Sequence, residues 1–77
     1  MAVKAYVLIT VEPAQTQDVV KALKKVKGVT EVNEVIGPYD IVAEMYIERF
    51  QDVSEMLREK IRPISGVRNT LTCVTMP

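Results

Sequence analysis

A tandem repeat constrains this chain more than any other feature. Gly28-Val29 recurs as Gly66-Val67, an offset of 38 residues (66 − 28 = 38), and the same offset carries Val3 to Ile41, Ala5 to Ala43 and Ile9 to Ile47. Each unit reads the same way: an apolar alternation, apolar residues at helical spacing, a glycine, then a second strand-like run. From Val3 to Val11 the odd positions are Val3, Ala5, Val7, Ile9 and Val11, the period of two expected of a half-buried strand. Glu12-Pro13-Ala14 breaks that period, and Val19, Val20, Leu23 and Val26 then follow at helical spacing. Gly28 stands where a helix C-terminal glycine belongs. Val29 to Ile36 is rich in β-branched residues and reads as a second strand. After a turn at Gly37–Asp40, Ile41, Ala43, Met45 and Ile47 form a third alternation. Phe50, Val53, Leu57 and Ile61, supported by Met56, form a second helical stripe that Pro63 stops, and Val67 to Val74 supplies the last strand.

The resulting order, β-α-β-β-α-β, is two βαβ units in tandem within a single domain spanning residues 1–77. Such a repeat predicts a ferredoxin-like α+β sandwich with one four-stranded antiparallel sheet, first and third strands central, and both helices on one face. The helices are expected over Ala14–Lys27 and Arg49–Arg62. Val7, Ile9, Leu23, Val26, Ala43, Met45, Val53 and Leu57 are expected in the core. Cys73, at an odd position alongside Leu71, reads as a small buried hydrophobe.

The opposite face of that sheet carries the even positions: Tyr6 and Leu8 from the first strand, Val42, Glu44 and Tyr46 from the third. A face left to water should be mostly polar. Two tyrosines with a leucine and a valine among scattered charges suit a protein–protein interface instead. Tyr6, Leu8, Val42 and Tyr46 are therefore expected to be buried against a second copy of the chain. Size argues the same way, because a chain of 77 residues buries only about 60% of its unfolded surface. The single cysteine excludes an intrachain disulfide, and with no histidine the usual zinc sites cannot be built. Association is the remaining stabiliser.

Composition removes several function classes. Ten basic residues balance ten acidic ones, so the electrostatic term that dominates nucleic-acid affinity is missing. No apolar run approaches the ~20 residues of a membrane span, and the N-terminus lacks the pattern of a signal peptide; a cytoplasmic protein is expected. Without histidine there is no ordinary proton shuttle near neutral pH. With three glycines there is no phosphate-binding loop or dinucleotide fingerprint. Catalysis is disfavoured, and neither a cofactor nor a metal is implied.

Binding is easier to assemble. In Ile36-Gly37-Pro38-Tyr39-Asp40-Ile41, glycine and proline stop both helix and ladder, and a phenol and a carboxylate follow at once. Asp40 offers an acceptor for an ammonium group, Tyr39 a stacking face and a hydroxyl, and Gly37 exposed backbone. Thr70 and Thr72 place two hydroxyls on one face of the last strand.

These segments resemble a known family. Gly28-Val29, the strand after it, the Ile36–Ile41 turn and the ending Ile64-Ser65-Gly66-Val67-Arg68-Asn69-Thr70-Leu71-Thr72-Cys73-Val74 together look like the effector, or RAM, domain of Lrp/AsnC transcription regulators. The resemblance implies a dimeric α/β-barrel arrangement with sheets face to face, often assembled into larger rings. It also implies an amino-acid-like ligand held where dimers meet, near Gly37, Pro38, Tyr39 and Asp40. The family's regulators carry a helix-turn-helix domain that this sequence lacks, so the expectation is a stand-alone effector domain. It would bind no DNA itself and would act through full-length regulators of the family. Two alternatives are a small dimeric α+β barrel enzyme of the monooxygenase type and an oligomerisation module without ligand.

Overall fold

The computed structural model describes residues 2–76. β1 (Val3–Val11) and β3 (Ile41–Ile47) form the centre of a four-stranded antiparallel sheet ordered β2-β3-β1-β4, with β2 (Val29–Glu34) and β4 (Val67–Val74) at the edges. Burial follows the odd positions: Ala5, Val7, Ile9 and Val11 of β1 and Ile41, Ala43, Met45 and Ile47 of β3 are all buried. Both helices cover this face.

The first begins with a 3-10 turn at Pro13–Gln15, where proline occupies a position needing no N–H, and continues as α1 (Thr16–Lys24). It buries Val19 and Leu23, four residues apart. The second begins likewise at Phe50–Asp52, continues as α2 (Val53–Met56) and widens into a π turn at Leu57–Ile61. Its buried residues are Val53, Leu57 and Ile61. Every core residue expected from the sequence is buried except Val26, which is half-buried at the rim. The helices are also shorter than Ala14–Lys27 and Arg49–Arg62, because prolines and 3-10 bonds take up their ends.

The two glycines of the repeat are required by the backbone. Gly28 and Gly66 both have φ of 99°, in the region that side chains disfavour. A Cβ on Gly66 would lie 2.8 Å from Gln15 Cβ, and one on Gly28 3.0 Å from the Tyr46 carbonyl oxygen. Each glycine carbonyl ties its unit to the sheet: Tyr46 N–H donates to Gly28 O and Glu12 N–H to Gly66 O, both at 2.8 Å.

Each edge strand carries an irregularity just after its glycine. Val29 pairs with Met45 but Glu31 pairs with Glu44, leaving Thr30 as an extra residue. Val67 pairs with Val11 but Asn69 pairs with Thr10, leaving Arg68 as the extra residue. An extra residue switches the face presented by everything beyond it. Val67 therefore packs on the core with Val11, whereas Asn69, Leu71 and Cys73, at the same odd parity, point to the open face. This corrects the expectation for Cys73, which is exposed and sits opposite Tyr6. β2 also ends earlier than Ile36: Val35 N–H donates to Asp40 O at 2.9 Å, closing the hairpin, and Ile36 is fully exposed.

Candidate functional site

Two surfaces concentrate the residues of interest. The first is the open face of the sheet. Val42, Leu8 and Leu71 lie side by side across β3, β1 and β4, an apolar row through the middle of the face. The next row is Glu44, Tyr6 and Cys73, and Tyr46 lies opposite Lys4 beyond it. Tyr6, Leu8 and Val42 are half-buried, while Tyr46 and Leu71 are exposed. The structure thus places Tyr6, Leu8, Val42 and Tyr46 on one face and adds Leu71 and Cys73, which the sequence pattern hid behind the extra residue at Arg68.

Polar groups at the rim of this face are already engaged with one another. Lys4 Nζ lies 3.4 Å from Glu44 Oε2 and 5.2 Å from the centre of the Tyr6 ring. Tyr6 first, and Glu44 with it, holds the Lys4 ammonium above the ordinary lysine range, against an opposing desolvation. Thr30 Oγ1 donates to the Glu44 side chain at 3.1 Å. Thr10 Oγ1, enclosed on the same face, has no partner among the described residues, a polar group that a second surface could satisfy.

The second surface is the β2–β3 hairpin. Asp40 fixes it to β1 by two hydrogen bonds and closes it with a third. Its N–H donates to Ile9 O, its Oδ2 accepts the Val11 N–H, and its carbonyl accepts Val35 N–H, each at 2.9 Å. Val11 lies just past the last residue of β1 that β3 pairs, so the carboxylate supplies the acceptor that a longer β3 would have provided. Oδ1 accepts no hydrogen bond among the described residues. Gly37 and Pro38 are exposed and Tyr39 is half-buried. A Cβ on Gly37 would meet nothing within 4 Å, so its backbone is open to approach.

Thr70 and Thr72 are not beside this hairpin. They lie on β4, opposite Ile9 and Val7, on the helix-facing side of the sheet, whereas Asp40 precedes β3 on the other flank of β1. Strands two apart are roughly 10 Å from each other. The six expected ligand residues therefore divide, within one protomer, into a hairpin set and a β4 set separated by β1. Thr70 instead lines a recess with Arg62, Val67, Arg68 and Asn69. Among the described residues no group of histidine, cysteine, aspartate and glutamate is placed to hold a metal ion. No described helix is long and apolar enough to cross a membrane.

This architecture has relatives. The family profile for the Lrp/AsnC ligand binding domain matches residues 4–77. An uncharacterized HTH-type transcriptional regulator of Pyrococcus furiosus is 34% identical over 74 residues, which cover 92% of this chain and 49% of that protein. The chain thus spans about half the length of that regulator. A homocitrate synthase of Saccharolobus islandicus matches at 34% identity over 61 residues, 79% of this chain but 13% of the enzyme. Among solved structures, a Thermus thermophilus protein superposes with a TM-score of 0.92 at 28% identity, covering 97% of this chain and 94% of its own. A Neisseria meningitidis transcriptional regulator crystallised with L-methionine shares the fold, with a TM-score of 0.88 at 12% identity over 97% of this chain and 50% of its own. Profile, relatives and fold agree: the chain belongs to the Lrp/AsnC ligand-binding domain family.

Proposed function

We propose that the domain senses an amino acid or a close metabolite between copies of itself, and that the bound ligand sets how those copies assemble for transcription control. The observation carrying this reading is the Gly37–Asp40 hairpin. Asp40 spends one carboxylate oxygen on Val11 and keeps the other unengaged among the described residues, and Gly37, three positions earlier in the same turn, has an open backbone. A zwitterion needs an anionic acceptor and N–H donors close together, and this turn offers both. Asp40 would receive the ammonium group and the backbone of Gly37, Pro38 and Tyr39 the carboxylate. Thr70 and Thr72 would come from a neighbouring protomer, since β1 separates them from the hairpin of their own chain. The methionine complex of the Neisseria meningitidis regulator supports an amino acid as the ligand class.

Assembly would proceed through the open sheet face, with Tyr6, Leu8, Val42 and Tyr46 against a second copy. A ligand that touches more than one chain favours the assembly it binds best. The match to a ligand-binding domain family supports a regulatory role over a catalytic one. The domain by itself would not bind duplex DNA, because its charge is balanced. Calorimetry against the full set of amino acids tests the reading: one or a few should release heat and shift the sedimentation profile. Silence across the set at millimolar concentration would leave a bare oligomerisation module.

The homocitrate synthase match favours a second reading, in which the domain controls an enzyme instead of a promoter. The ligand site would be the same, and the partner would differ.

A further inference from the structure

The fold builds the same surface recess twice. One copy is lined by Arg62, Val67, Arg68, Asn69 and Thr70, with a volume of about 290 Å³. The other is lined by Lys24, Val29, Thr30, Glu31 and Val32, with a volume of about 200 Å³. Each residue of the second set stands 38 positions before its counterpart in the first (62 − 24 = 38). Two irregularities shape the larger recess. The π turn at Leu57–Ile61, closed by Arg62 N–H on Leu57 O at 2.8 Å, delivers Arg62. The register shift in β4 delivers Arg68, whose position has no residue opposite it in the ladder. Irregular turns and bulges of this kind re-aim side chains toward functional surfaces.

The two recesses differ in chemistry. Where the first half has Lys24, Thr30, Glu31 and Val32, the second half has Arg62, Arg68, Asn69 and Thr70. A carboxylate and an apolar side chain give way to an amide and a hydroxyl, and a guanidinium replaces a hydroxyl. Arg62 makes no ion pair among the described residues. Arg68 makes one, with Glu12 at 3.5 Å, between side chains more than half exposed; such a pair holds weakly and yields readily to a better-placed anion. Two planar donors and the Thr70 hydroxyl suit the oxygens of a carboxylate or phosphate group, while the Asn69 side chain turns to the open face opposite Thr10.

We infer that the Arg62–Arg68 recess binds a small oxyanion, a carboxylate or phosphate group, at a site separate from the Gly37–Asp40 hairpin. Thr70 is the only residue shared with the proposed amino-acid site, and the recess stands whether or not an amino acid binds. The first-half recess serves as a built-in control. Backbone amides of the intact chain are followed by NMR during titration with inorganic phosphate, and separately with succinate, at constant ionic strength. Saturable shifts are expected at residues 67–70 and not at 29–32. Arg62→Gln and Arg68→Gln should each weaken binding at least fivefold with little change in melting temperature, while Asp40→Asn leaves it unaltered. Tighter binding of phosphate would assign a phosphoryl ligand, and of succinate a carboxylate ligand. Equal or non-saturating shifts in both recesses would overturn the inference. So would an affinity unmoved by either arginine variant or abolished by Asp40→Asn.

Discussion

The two halves of this chain agree where they face the helices and disagree where they face outward. Ala5 and Ala43, Val7 and Met45, and Ile9 and Ile47 occupy equivalent places in the repeat, and all are buried. On the open face the equivalent pairs are Lys4 and Val42, Tyr6 and Glu44, Leu8 and Tyr46, which differ in charge, polarity or shape. Burial under the helices demands apolar side chains in both halves, so the repeat persists there. Nothing in the fold of a single chain makes that demand on the open face, and each half presents its own residues. The difference teaches that burial under the helices, and not the repeat as such, keeps the two halves alike.

The sharpest way to break the comparison is to place one charge at two equivalent positions. Leu8 lies in the middle of the apolar row with Val42 and Leu71, whereas Tyr46 lies toward the end of the face opposite Lys4. If the face is an interface, Leu8→Glu leaves a carboxylate buried without a partner, a cost of about 3–5 kcal/mol. The dimer dissociation constant should rise more than a hundredfold by sedimentation, and Tyr46→Glu should raise it considerably less. Cys73, opposite Tyr6 on the same face, reports independently. Its thiol should react slowly with a disulfide reagent in the assembled protein and at least tenfold faster in the Leu8→Glu variant. A wild-type chain that sediments as a monomer at micromolar concentration would remove the interface.

The glycines give the next effect in size. Gly66→Ala and Gly28→Ala impose the same backbone strain, since both positions have φ of 99°. Their surroundings differ. At Gly66 the new methyl meets Gln15 Cβ at 2.8 Å and Val19 Cγ2 at 3.0 Å, while at Gly28 it meets the Tyr46 carbonyl at 3.0 Å and the mobile end of Met56 at 3.1 Å. Strain and overpacking together should cost about 2–4 kcal/mol at Gly66. Gly28→Ala should cost less, and chemical denaturation resolves the two. Equal losses would mean that φ alone decides, without a contribution from the neighbours.

Much of this was legible in the sequence because burial leaves a period in it. The alternations of β1 and β3, the stripe Val53, Leu57 and Ile61, and the glycines at the helix ends each have a local physical cause. β4 was not legible in the same way. Val67, Leu71 and Cys73 share a parity, and only the ladder reveals that Arg68 is an extra residue which turns Leu71 and Cys73 away from Val67. The candidate site was half legible. The chemistry of Asp40 and of Thr70 and Thr72 could be read directly, but not that β1 lies between them, nor that Asp40 already serves Val11. The recess at Arg62 and Arg68 depends on two irregularities that no periodicity announces.

Asp40 lies in the segment joining the halves, where the proposed ligand chemistry sits outside the repeat. Asp40→Asn keeps an oxygen for the Val11 N–H and removes the charge. Amino-acid affinity should fall on the order of tenfold, as expected for an ionic hydrogen bond of roughly 1.5–3 kcal/mol made neutral, with the melting temperature nearly unchanged. Asp40→Ala should lose affinity and stability together, because the Val11 N–H then has no acceptor. Calorimetry alongside thermal melts separates the two variants. Unchanged affinity in Asp40→Asn would move the ammonium site elsewhere.

The smallest effect comes from making the first half resemble the second. Thr30→Arg combined with Glu31→Asn brings the chemistry of Arg68 and Asn69 to the recess that already holds Lys24. If the recess binds an oxyanion through its residues and not through some wider field, a second saturable phosphate response should appear at amides 29–32. It should be several-fold weaker than the response at 67–70, because Val32 lacks the hydroxyl of Thr70 and an ammonium stands where Arg62 has a planar fork. The exchange also removes the hydrogen bond from Thr30 to Glu44, an exposed contact whose loss costs about 0.5–1.5 kcal/mol. A small fall in melting temperature should therefore accompany the new site. A melting shift without the second phosphate response would mean that the recess needs its π turn as well as its arginines, since α1 runs to Lys24 as a regular helix where the second helix widens.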